Sequence, residues 1–425
     1  MKIKVEKLKL WAKELFPLNR SLAGKYNRLT IKYFKKNINK NFKIKKVRSG
    51  TKIYSWSIPK EYSISKGVLK DEDKNIICDI KDNNLHVVSY SKSINKWMSF
   101  QELKKKIFFS SKCPNAIPYV TSYYKKDWGF CLPKKKYLKL NKKKKYHADI
   151  KSKFIDGNMN YGEMLIKGKS KKEIIICSYI CHPSLANNEL SGMLAIGLLS
   201  KILKNSKYTI RLMLIPETIG AIYYVHKKLE FLKNNLIAGF NLSCVGLHGP
   251  YTLISSVKGD TYADKVVSRV GSKYSNFKIL SFNKRGSNER QFGCQNLNLP
   301  FVTICRKKFG DYKQYHTSED NLKILSYKTI IETVYFIKKI VKEINQNEIY
   351  KKNDFCEPFL SRSNLVNNFG TFENMINKNR KSISDFLAYV DNSHDLKSLK
   401  KKLKIKNINN LAKILEKNKL ISKML

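Results

Sequence analysis

Three side chains in this sequence have the types that a hydrolytic metal site needs, and each comes where a buried strand pattern gives way to a polar segment. His182 follows one apolar strand pattern, and Glu217 follows the next. His316 comes after a further apolar stretch that begins near residue 300. A hydrolytic zinc ion takes about three ligands from His, Asp or Glu, and a nearby carboxylate accepts the proton of the attacking water. The sequence therefore predicts a zinc-dependent hydrolytic site at these residues.

Each of these residues taken alone is more often structural than functional, since a single histidine or glutamate after a strand usually packs in or projects from a loop. The prediction depends on the order of four polar clusters along the chain. Ligands of α/β sheets bind at the carboxyl ends of the strands, and clusters at such ends meet in space. The clusters occupy residues 181–192, 216–220, 285–290 and 315–320.

Strand and helix patterns alternate from residue 172 onward and must position these clusters. Apolar strand patterns cover 173–179, 209–215, 236–245 and 300–306. Helical patterns cover 192–203 and 329–344. Alternation of this kind is typical of a mixed sheet with helices on both faces. The predicted fold class is therefore α/β.

The other patterns divide the rest of the chain. Short strand patterns separated by Ser-Gly, Asp and Asn pairs predict an inserted β-rich region at 41–139, within an α/β domain made of 1–40 and 140–345. A polar linker is predicted at 346–380. Three amphipathic helical patterns follow in 381–425 and predict a small module of the helix-turn-helix or winged-helix type.

The composition limits the partners. The 425-residue chain has a formal net charge of +51, and its lysines are spread along the whole length. The electrostatic field of such a positive charge attracts nucleic acid and anionic membranes. Abundant lysine, asparagine and isoleucine together indicate coding by an AT-rich genome, which accounts for the excess of lysine without such a partner. We therefore expect no nucleic-acid partner. Without an apolar run of membrane length or a signal-peptide pattern, we expect a cytoplasmic protein that does not bind membranes.

Four strings stand in a characteristic order: His-Pro-Ser-Leu-Ala-Asn-Asn-Glu-Leu-Ser-Gly at 182–192, Ile-Pro-Glu-Thr-Ile-Gly at 215–220, Arg-Gly-Ser-Asn-Glu-Arg-Gln at 285–291 and Tyr-His-Thr-Ser-Glu-Asp at 315–320. With upstream motifs such as Arg-Ser-Leu-Ala-Gly at 20–24, they resemble the bacterial aminopeptidase-like domain family over nearly the whole chain. Members are distant relatives of zinc aminopeptidases and often accompany genes for surface polysaccharide biosynthesis. The resemblance implies a zinc-aminopeptidase-like mixed sheet covered by helices, with an inserted β-rich region and a small C-terminal winged-helix-like module.

The resemblance also implies roles for the motif residues. His182 and His316 take the positions of zinc ligands, and Glu217 takes the position of the general base. The implied reaction is hydrolysis of an amide bond in a peptide or an amino-acid-bearing small molecule. The candidate substrate contacts in the third and fourth motifs are Arg285, Asn288, Arg290 and Tyr315. The two arginines either hold a substrate carboxylate or pair with Glu289 or Asp320.

The chain departs from the family pattern at its acidic ligands. An aspartate is expected at the position of Asn188, where it bridges two metals in classical aminopeptidases, and another at the position of Asn288. Thr218 and Ser243 occupy the positions of further acidic ligands. An amide brings no negative charge to a divalent ion. The cofactor prediction is therefore one zinc ion at most, held by His182, His316 and Asn188.

Two interpretations of the function stay open on the sequence. The two histidines and Glu217 favour a hydrolase, whereas the asparagines favour a catalytically degenerate binding or regulatory protein that retains the pocket. The C-terminal module is expected to serve packing or dimerisation in preference to DNA binding, so a homo-oligomer also stays open. Four aromatic residues of the inserted region either line a cleft or form a core: Trp56, Tyr123, Tyr124 and Trp128.

Overall fold

The computed structural model describes residues 5–363, 365, 378–391 and 393–424. The strands in chain order are β1 Lys43–Arg48, β2 Lys52–Ile53, β3 Trp56–Ser57, β4 Glu61–Asp71, β5 Ile76–Asp79, β6 Ile94–Ser99, β7 Ile107–Phe108, β8 Phe130–Cys131, β9 Lys145–Ile155, β10 Asn158–Ile166, β11 Ser170–Tyr179, β12 Tyr208–Ile215, β13 Leu236–Leu242, β14 Thr252–Ile254, β15 Lys278–Leu280, β16 Phe301–Cys305, β17 Tyr350–Lys352 and β18 Ile421–Lys423. The helices are α1 Val5–Leu15, α2 Lys25–Tyr33, α3 Phe100–Leu103, α4 Lys134–Leu138, α5 Ser191–Ile202, α6 Ile219–Asn235, α7 Tyr262–Gly271, α8 Glu289–Phe292 and α9 Tyr327–Gln346, followed by Lys378–Tyr389, Leu396–Leu403 and Ile408–Lys417.

A large mixed sheet holds eight strands in the order β1-β10-β12-β11-β13-β16-β14-β15. Its central strands β12, β11, β13 and β16 run parallel to one another, and β1, β10 and β14 join through antiparallel pairs. β13 is buried at every position, as a strand covered by helices on both faces must be. The mixed sheet confirms the predicted α/β class.

Successive residues of β11 pack into opposite layers. Ile174 and Ile176 lie in the core that also contains α1, α5, α7 and α9, whereas Ile175 packs with α6 and α8 on the other face. The two-residue period of a strand explains why an unbroken apolar run is needed here, and each fully buried side chain of this kind contributes about 1.5–3 kcal/mol. Within the described part of the chain, no helix is long and apolar enough to cross a membrane.

The inserted region forms its own antiparallel sheet in the order β5-β4-β9-β6, over a separate apolar core that includes Trp128. Its limits differ from the predicted 41–139, because β1 belongs to the large sheet and β9 belongs to the small one. Only two residues separate β9 from β10. The chain therefore passes from one sheet to the other without a linker whose composition could mark the boundary.

The C-terminal module contains three helices, in agreement with the three apolar stripes in the sequence. Its core gathers side chains from all three, among them Phe386, Leu399 and Leu415. β17 pairs with β18, so part of the predicted 346–380 linker is a strand of this module. Residues 364 and 366–377 of that linker lie outside the described residues. The winged-helix assignment stays a prediction.

Candidate active site

A cavity of about 410 Å³ opens near the carboxyl ends of β11 and β12. Its lining brings together His182, Glu217, His316 and Arg290. The other lining residues are Leu22, Trp56, Tyr119, Thr121, Tyr123, Tyr124, Cys181, Thr218, Ile219 and Gln291. Because parallel strands end at the same edge of a sheet, clusters that are far apart in sequence meet there. The inserted region supplies most of the aromatic wall.

His182 is held in one orientation by a buried carboxylate. Its Nδ1 lies 2.8 Å from Oε2 of Glu189, which also accepts the backbone N–H of Cys181. Oε1 of Glu189 pairs with Nε of Arg20 at 2.6 Å, and both side chains are fully buried. Burial disfavours the charged imidazole, but contacts with Cys181, Tyr119 and Glu189 overcome it and raise the pKa of His182 well above its usual value. A histidine fixed by a carboxylate at one nitrogen offers its other nitrogen in a defined direction, as in metal sites.

The segment that carries Glu189 is a π-helical turn at Ala186–Leu190, directly before α5. Asp320 holds this turn, because its carboxylate accepts the backbone N–H groups of Asn187 at 2.6 Å and Asn188 at 3.0 Å. It also accepts the hydroxyl of Tyr312 at 2.8 Å, while burial raises the pKa of Asp320. Asp320 therefore shapes the site from behind instead of facing the cavity.

Glu217 follows β12 and faces His182. Its Oε2 lies 3.8 Å from Nε2 of His182, and its Oε1 accepts a hydrogen bond from Oγ of Ser287 at 2.6 Å. Burial raises the pKa of Glu217, although His182 and Ser287 favour its ionised form. A carboxylate with a raised pKa beside a cavity is suited to accept and return a proton.

The residue after Glu217 has an unfavourable backbone conformation. Thr218 has a φ of 64°, which is rare for a β-branched residue. Its N–H donates to Oδ1 of Asn288 at 3.0 Å, and its Oγ1 accepts from Nη2 of Arg290 at 2.7 Å. Asn288 and Arg290 thus hold the backbone that directs Glu217 into the cavity. Strain of this kind is concentrated at functional sites.

His316 brings a second imidazole to the cavity. Its ring centroid lies 5.4 Å from that of His182, and its ring stacks on Tyr315 at 3.9 Å. Nε2 of His316 is buried and finds no hydrogen-bond partner among the residues that the structure describes. Burial lowers the pKa of His316 to about 3, so the ring is neutral near pH 7. A neutral, unpartnered ring nitrogen is a suitable metal ligand.

The donor set fits one zinc ion better than two. His182 and His316 are the two histidines among the described lining residues, and His182, whose pKa is raised, must release a proton before it can bind a metal. Asn188, the third predicted ligand, is buried and is not part of the described cavity lining. Its unpartnered atom is Nδ2, an amide donor that cannot bind a metal, so only its Oδ1 is a candidate ligand atom. The described side chains also bring ligand atoms of Cys181, His182 and Glu189 within 4.8 Å of one another. Glu189 is already committed to Arg20, so we regard this group as the support of His182 and not as a metal centre.

The positions of the classical second metal are occupied by neutral hydrogen-bonded groups. Thr218 bonds to Arg290, and Oγ of Ser243 lies 2.7 Å from the hydroxyl of Tyr179. The same hydroxyl donates to the backbone carbonyl of Asn188 at 2.6 Å. Among the described residues that line the cavity, Glu217 is the one carboxylate, so this lining offers no carboxylate pair to hold two divalent ions.

The predicted substrate-contacting residues are placed differently from one another. Arg290 lines the cavity. Asn288 is fully buried and bonds to the backbone of Thr218, and Tyr315 supports the ring of His316. Arg285 is exposed, with its guanidinium 4.9 Å from the ring of Phe282. We therefore withdraw Arg285 from the candidate site, because its side chain points to solvent.

Several residues have roles at the site that the sequence did not assign to them. Glu189, considered from the sequence only as a substitute ligand beside Asn188, orients His182 together with Arg20. Ser287 orients Glu217, and Tyr119 and Gln291 line the cavity. Arg20, Glu189, Ser287 and Gln291 lie within the motifs at 20–24, 182–192 and 285–291, which is the signal that could have identified them. The aromatic residues of the inserted region divide: Trp56, Tyr123 and Tyr124 line the cavity, and Trp128 is core.

Comparison with known proteins identifies the family. Residues 9–347 match a family described as a domain of unknown function (DUF4910). A protein of Clostridium acetobutylicum, named as a polysaccharide biosynthesis protein with an aminopeptidase-like domain, is 36% identical over 370 residues. The alignment covers 84% of this chain and 82% of that protein.

Solved structures agree with this assignment. A crystal structure described as a peptidase from Clostridium acetobutylicum is similar with a TM-score of 0.78 and 31% identity, covering 99% of this chain and 96% of that one. A zinc aminopeptidase from Bacillus subtilis shares the fold with a TM-score of 0.59 and 13% identity, over 80% of this chain and 94% of that one. The chain therefore belongs to the DUF4910 family of aminopeptidase-like proteins.

Proposed function

We propose that this protein hydrolyses an amide bond with one zinc ion as cofactor, in a peptide or an amino-acid-bearing small molecule. One observation carries the proposal: Glu217 faces Nε2 of His182 at 3.8 Å, in a cavity that is also lined by His316. A carboxylate and two imidazoles around one cavity are the groups that metal-assisted amide hydrolysis needs. The aminopeptidase-like fold of the relatives supports it.

In this mechanism the chain orients its substrate and moves one proton. Glu217 accepts a proton from the attacking water and returns it to the leaving amine. Ser287 fixes the carboxylate through its 2.6 Å hydrogen bond, and Glu189 fixes the ring of His182. Zinc held by His182, His316 and Asn188 would supply Lewis-acid polarisation of the amide carbonyl. The aromatic wall excludes bulk water, which strengthens each of these electrostatic effects.

A binding protein without chemistry is the second candidate, and Asn188, Thr218 and Ser243 favour it. Three neutral side chains at positions of acidic ligands weaken the attraction for a divalent ion. In that case the cavity binds a ligand, and Glu217 serves as a polar wall. For either candidate we propose a role in polysaccharide biosynthesis, which is supported by the name of the Clostridium acetobutylicum relative.

Metal content measured by elemental analysis tests the proposal, together with hydrolysis of a panel of dipeptides and aminoacyl anilides. We expect close to one zinc ion per chain in the original protein and loss of zinc and hydrolysis in His316→Ala. His226→Ala is the matched control, because His226 is exposed and contacts the ring of Tyr54 away from the cavity. It should retain both zinc and activity.

Asn188→Asp separates the two candidates. If the original protein binds no zinc and is inactive while Asn188→Asp binds zinc, the site is degenerate and the binding protein is the better conclusion. If both proteins bind zinc and hydrolyse amides, the neutral ligand position is tolerated and the hydrolase stands.

A further inference from the structure

A second cavity of about 540 Å³ adjoins the candidate active site, and Tyr123 and Tyr124 line both. We call it the aromatic–lysine pocket. Its other lining residues are Gly50, Ser57, Ile58, Pro59, Lys60, Tyr90, Lys92, Lys125, Lys126, Phe154 and Asp156. The two cavities, together called the cleft, share these two tyrosines as walls, so a ligand that extends past Tyr123 and Tyr124 reaches both. The second cavity can therefore hold a non-reacting part of an extended ligand.

The floor of the aromatic–lysine pocket is built of aromatic rings that leave apolar faces open. Phe154 is 38% exposed and Tyr124 is 51% exposed. The rings meet at steep angles, 64° between Tyr90 and Phe154 and 83° between Tyr90 and Tyr123. Tyr90 is only 1% exposed, so its contacts hold Phe154 and Tyr123 in place, and the open apolar surface is that of Phe154 and Tyr124. The C–H groups of a sugar ring pack well against the electron-rich faces of such rings.

The rim of the pocket carries excess positive charge. Lys92, Lys125 and Lys126 are exposed, and none of them forms an ion pair within the described part of the chain. Asp156 is the one acidic residue of the described lining, and it pairs with Lys60 at 3.1 Å. Asp127 lies close enough to Lys92 to balance part of its charge. The ammonium groups of Lys125 and Lys126 beside apolar rings favour a ligand with a negative charge next to its ring.

The residues that line the candidate active site also favour a neutral or anionic ligand. Glu217 is the one acidic side chain among the described residues that line it, and the lining also contains Arg290 and two histidines. Glu189 and Asp320 are engaged by Arg20 and by backbone N–H groups. No carboxylate of the described lining is left over to pair with the free ammonium of a peptide amino terminus. The cleft as a whole therefore favours a neutral or anionic amide.

We propose that the aromatic–lysine pocket binds a sugar ring that carries an anionic group, phosphate or carboxylate, and that this sugar bears the amide presented to Glu217. The ring packs against the exposed rings of Phe154 and Tyr124, and its anionic group lies near Lys125 and Lys126. The amide part of this inference rests on the proposed function. The binding part depends on the pocket alone.

Calorimetric titration of the full chain with three probes tests the proposal: N-acetylglucosamine 1-phosphate, N-acetylmuramic acid and N-acetylglucosamine. Glu217→Gln is used so that binding is measured without turnover. We expect at least one of the two anionic probes to bind about tenfold or more tightly than the neutral one, a difference that corresponds to about 1.4 kcal/mol of binding free energy. The tighter of the two identifies phosphate or carboxylate as the preferred group.

A matched pair of variants locates the charge effect. Lys125→Ala/Lys126→Ala should remove the preference for the anionic probe, whereas Lys142→Ala/Lys143→Ala should keep it. Both pairs are adjacent exposed lysines in loops, and both remove two charges, so long-range attraction falls equally. Phe154→Leu should weaken all three probes, because it removes the flat ring and keeps an apolar side chain.

Equal affinity for neutral and anionic probes, or an equal loss in both lysine pairs, would overturn the proposal. Its failure is distinguishable from failure of the proposed function. If binding depends on the charges of Lys125 and Lys126 but the protein hydrolyses no amide, the proposal for the pocket stands and the proposed hydrolase is wrong. If the protein hydrolyses peptides but shows no preference for anionic sugars, the proposed hydrolase stands and the proposal for the pocket is wrong.

Discussion

The candidate active site and the contact between the α/β domain and the C-terminal module both bury polar groups. The two regions differ in how far these groups are hydrogen-bonded within the protein. At the module, the guanidinium of Arg269 bonds to both carboxylate oxygens of Asp395 at 2.7 and 2.8 Å. It also contacts Glu343 at 3.1 Å and Ser398 at 2.8 Å. At the active site, by contrast, His316 and Asn188 each bury a side-chain nitrogen without a partner in the described structure.

The comparison distinguishes polar groups that bond within the protein and stabilise the fold from polar groups that are available to bond with a ligand. An unsatisfied buried polar atom costs about 1–3 kcal/mol, so a protein retains one mainly where another molecule completes the bonding. The guanidinium of Arg269 bonds to Asp395, Glu343 and Ser398 without a ligand, although Oδ1 of the neighbouring Asn347 has no partner within the described residues. Nε2 of His316 also lacks a partner there, and because His316 lines a cavity, a bound ligand would recover this cost.

The largest expected effect concerns the group that faces the cavity. Glu217→Gln removes the proton acceptor and keeps the shape, so amide hydrolysis should fall about 10²–10⁴-fold. Steady-state kinetics and circular dichroism measure the loss and the retained fold. Glu230→Gln, on the exposed side of α6, is the control and should change the rate little. An active Glu217→Gln would exclude this residue as the base.

The next largest effect concerns the free energy of unfolding and the contact that Arg269 makes with the C-terminal module. Arg269→Met removes the cation and leaves Asp395 without its ion-pair partner, whereas Glu343 keeps Lys397. We expect a loss of about 2–3 kcal/mol in the free energy of unfolding, less than the about 3–5 kcal/mol of a fully buried pair, because the Arg269 side chain is 23% exposed. Denaturant unfolding measures it. Arg285→Met, at an exposed arginine, is the control. A loss below about 0.5 kcal/mol would mean that the contact does not stabilise the fold.

The contact of Arg269 with Glu343 also predicts how the free energy of unfolding depends on pH. Although burial opposes it, hydrogen bonds from Lys397, Arg269 and Asn347 lower the pKa of Glu343 to about 2. A carboxylate whose folded pKa is depressed contributes stability above its unfolded pKa of about 4.3 and loses it as the pH falls toward the folded value. The difference in unfolding free energy between the original protein and Glu343→Gln should therefore be constant above about pH 5 and vanish near pH 2. A difference that does not change over this range contradicts the ion pair.

The smallest expected effect is the stability change on removing an unpartnered atom. His316→Phe keeps a ring that stacks on Tyr315 and removes the buried nitrogen. With a chelator present, the free energy of unfolding should not fall and should rise by about 1 kcal/mol, because the variant no longer buries an unsatisfied atom. Thermal and denaturant unfolding measure this change. With zinc present, the original protein should gain stability by mass action and the variant should not. A loss above about 2 kcal/mol in chelator would show that the nitrogen has a structural partner.

The sequence predicted the fold class and the main candidate residues because both depend on local patterns. Apolar runs of strand length located β11, β12, β13 and β16 to within a few residues. His182, Glu217 and His316 were identified by type and by their positions after strands. The limits of the inserted region were not predictable, because β9 and β10 are nearly continuous and strand pairing alone assigns them to different sheets.

The chain by itself determined which chemical groups are present and the order in which the motifs follow one another. It also determined that Asn188, Thr218 and Ser243 are neutral. Tertiary structure decided which groups are free, because pairing across 169 residues commits Glu189 to Arg20, while Glu217 is left facing the cavity with Ser287 as its hydrogen-bond donor. Long-range contacts of this kind have no signature in local sequence, since they depend on how the strands and loops pack in space.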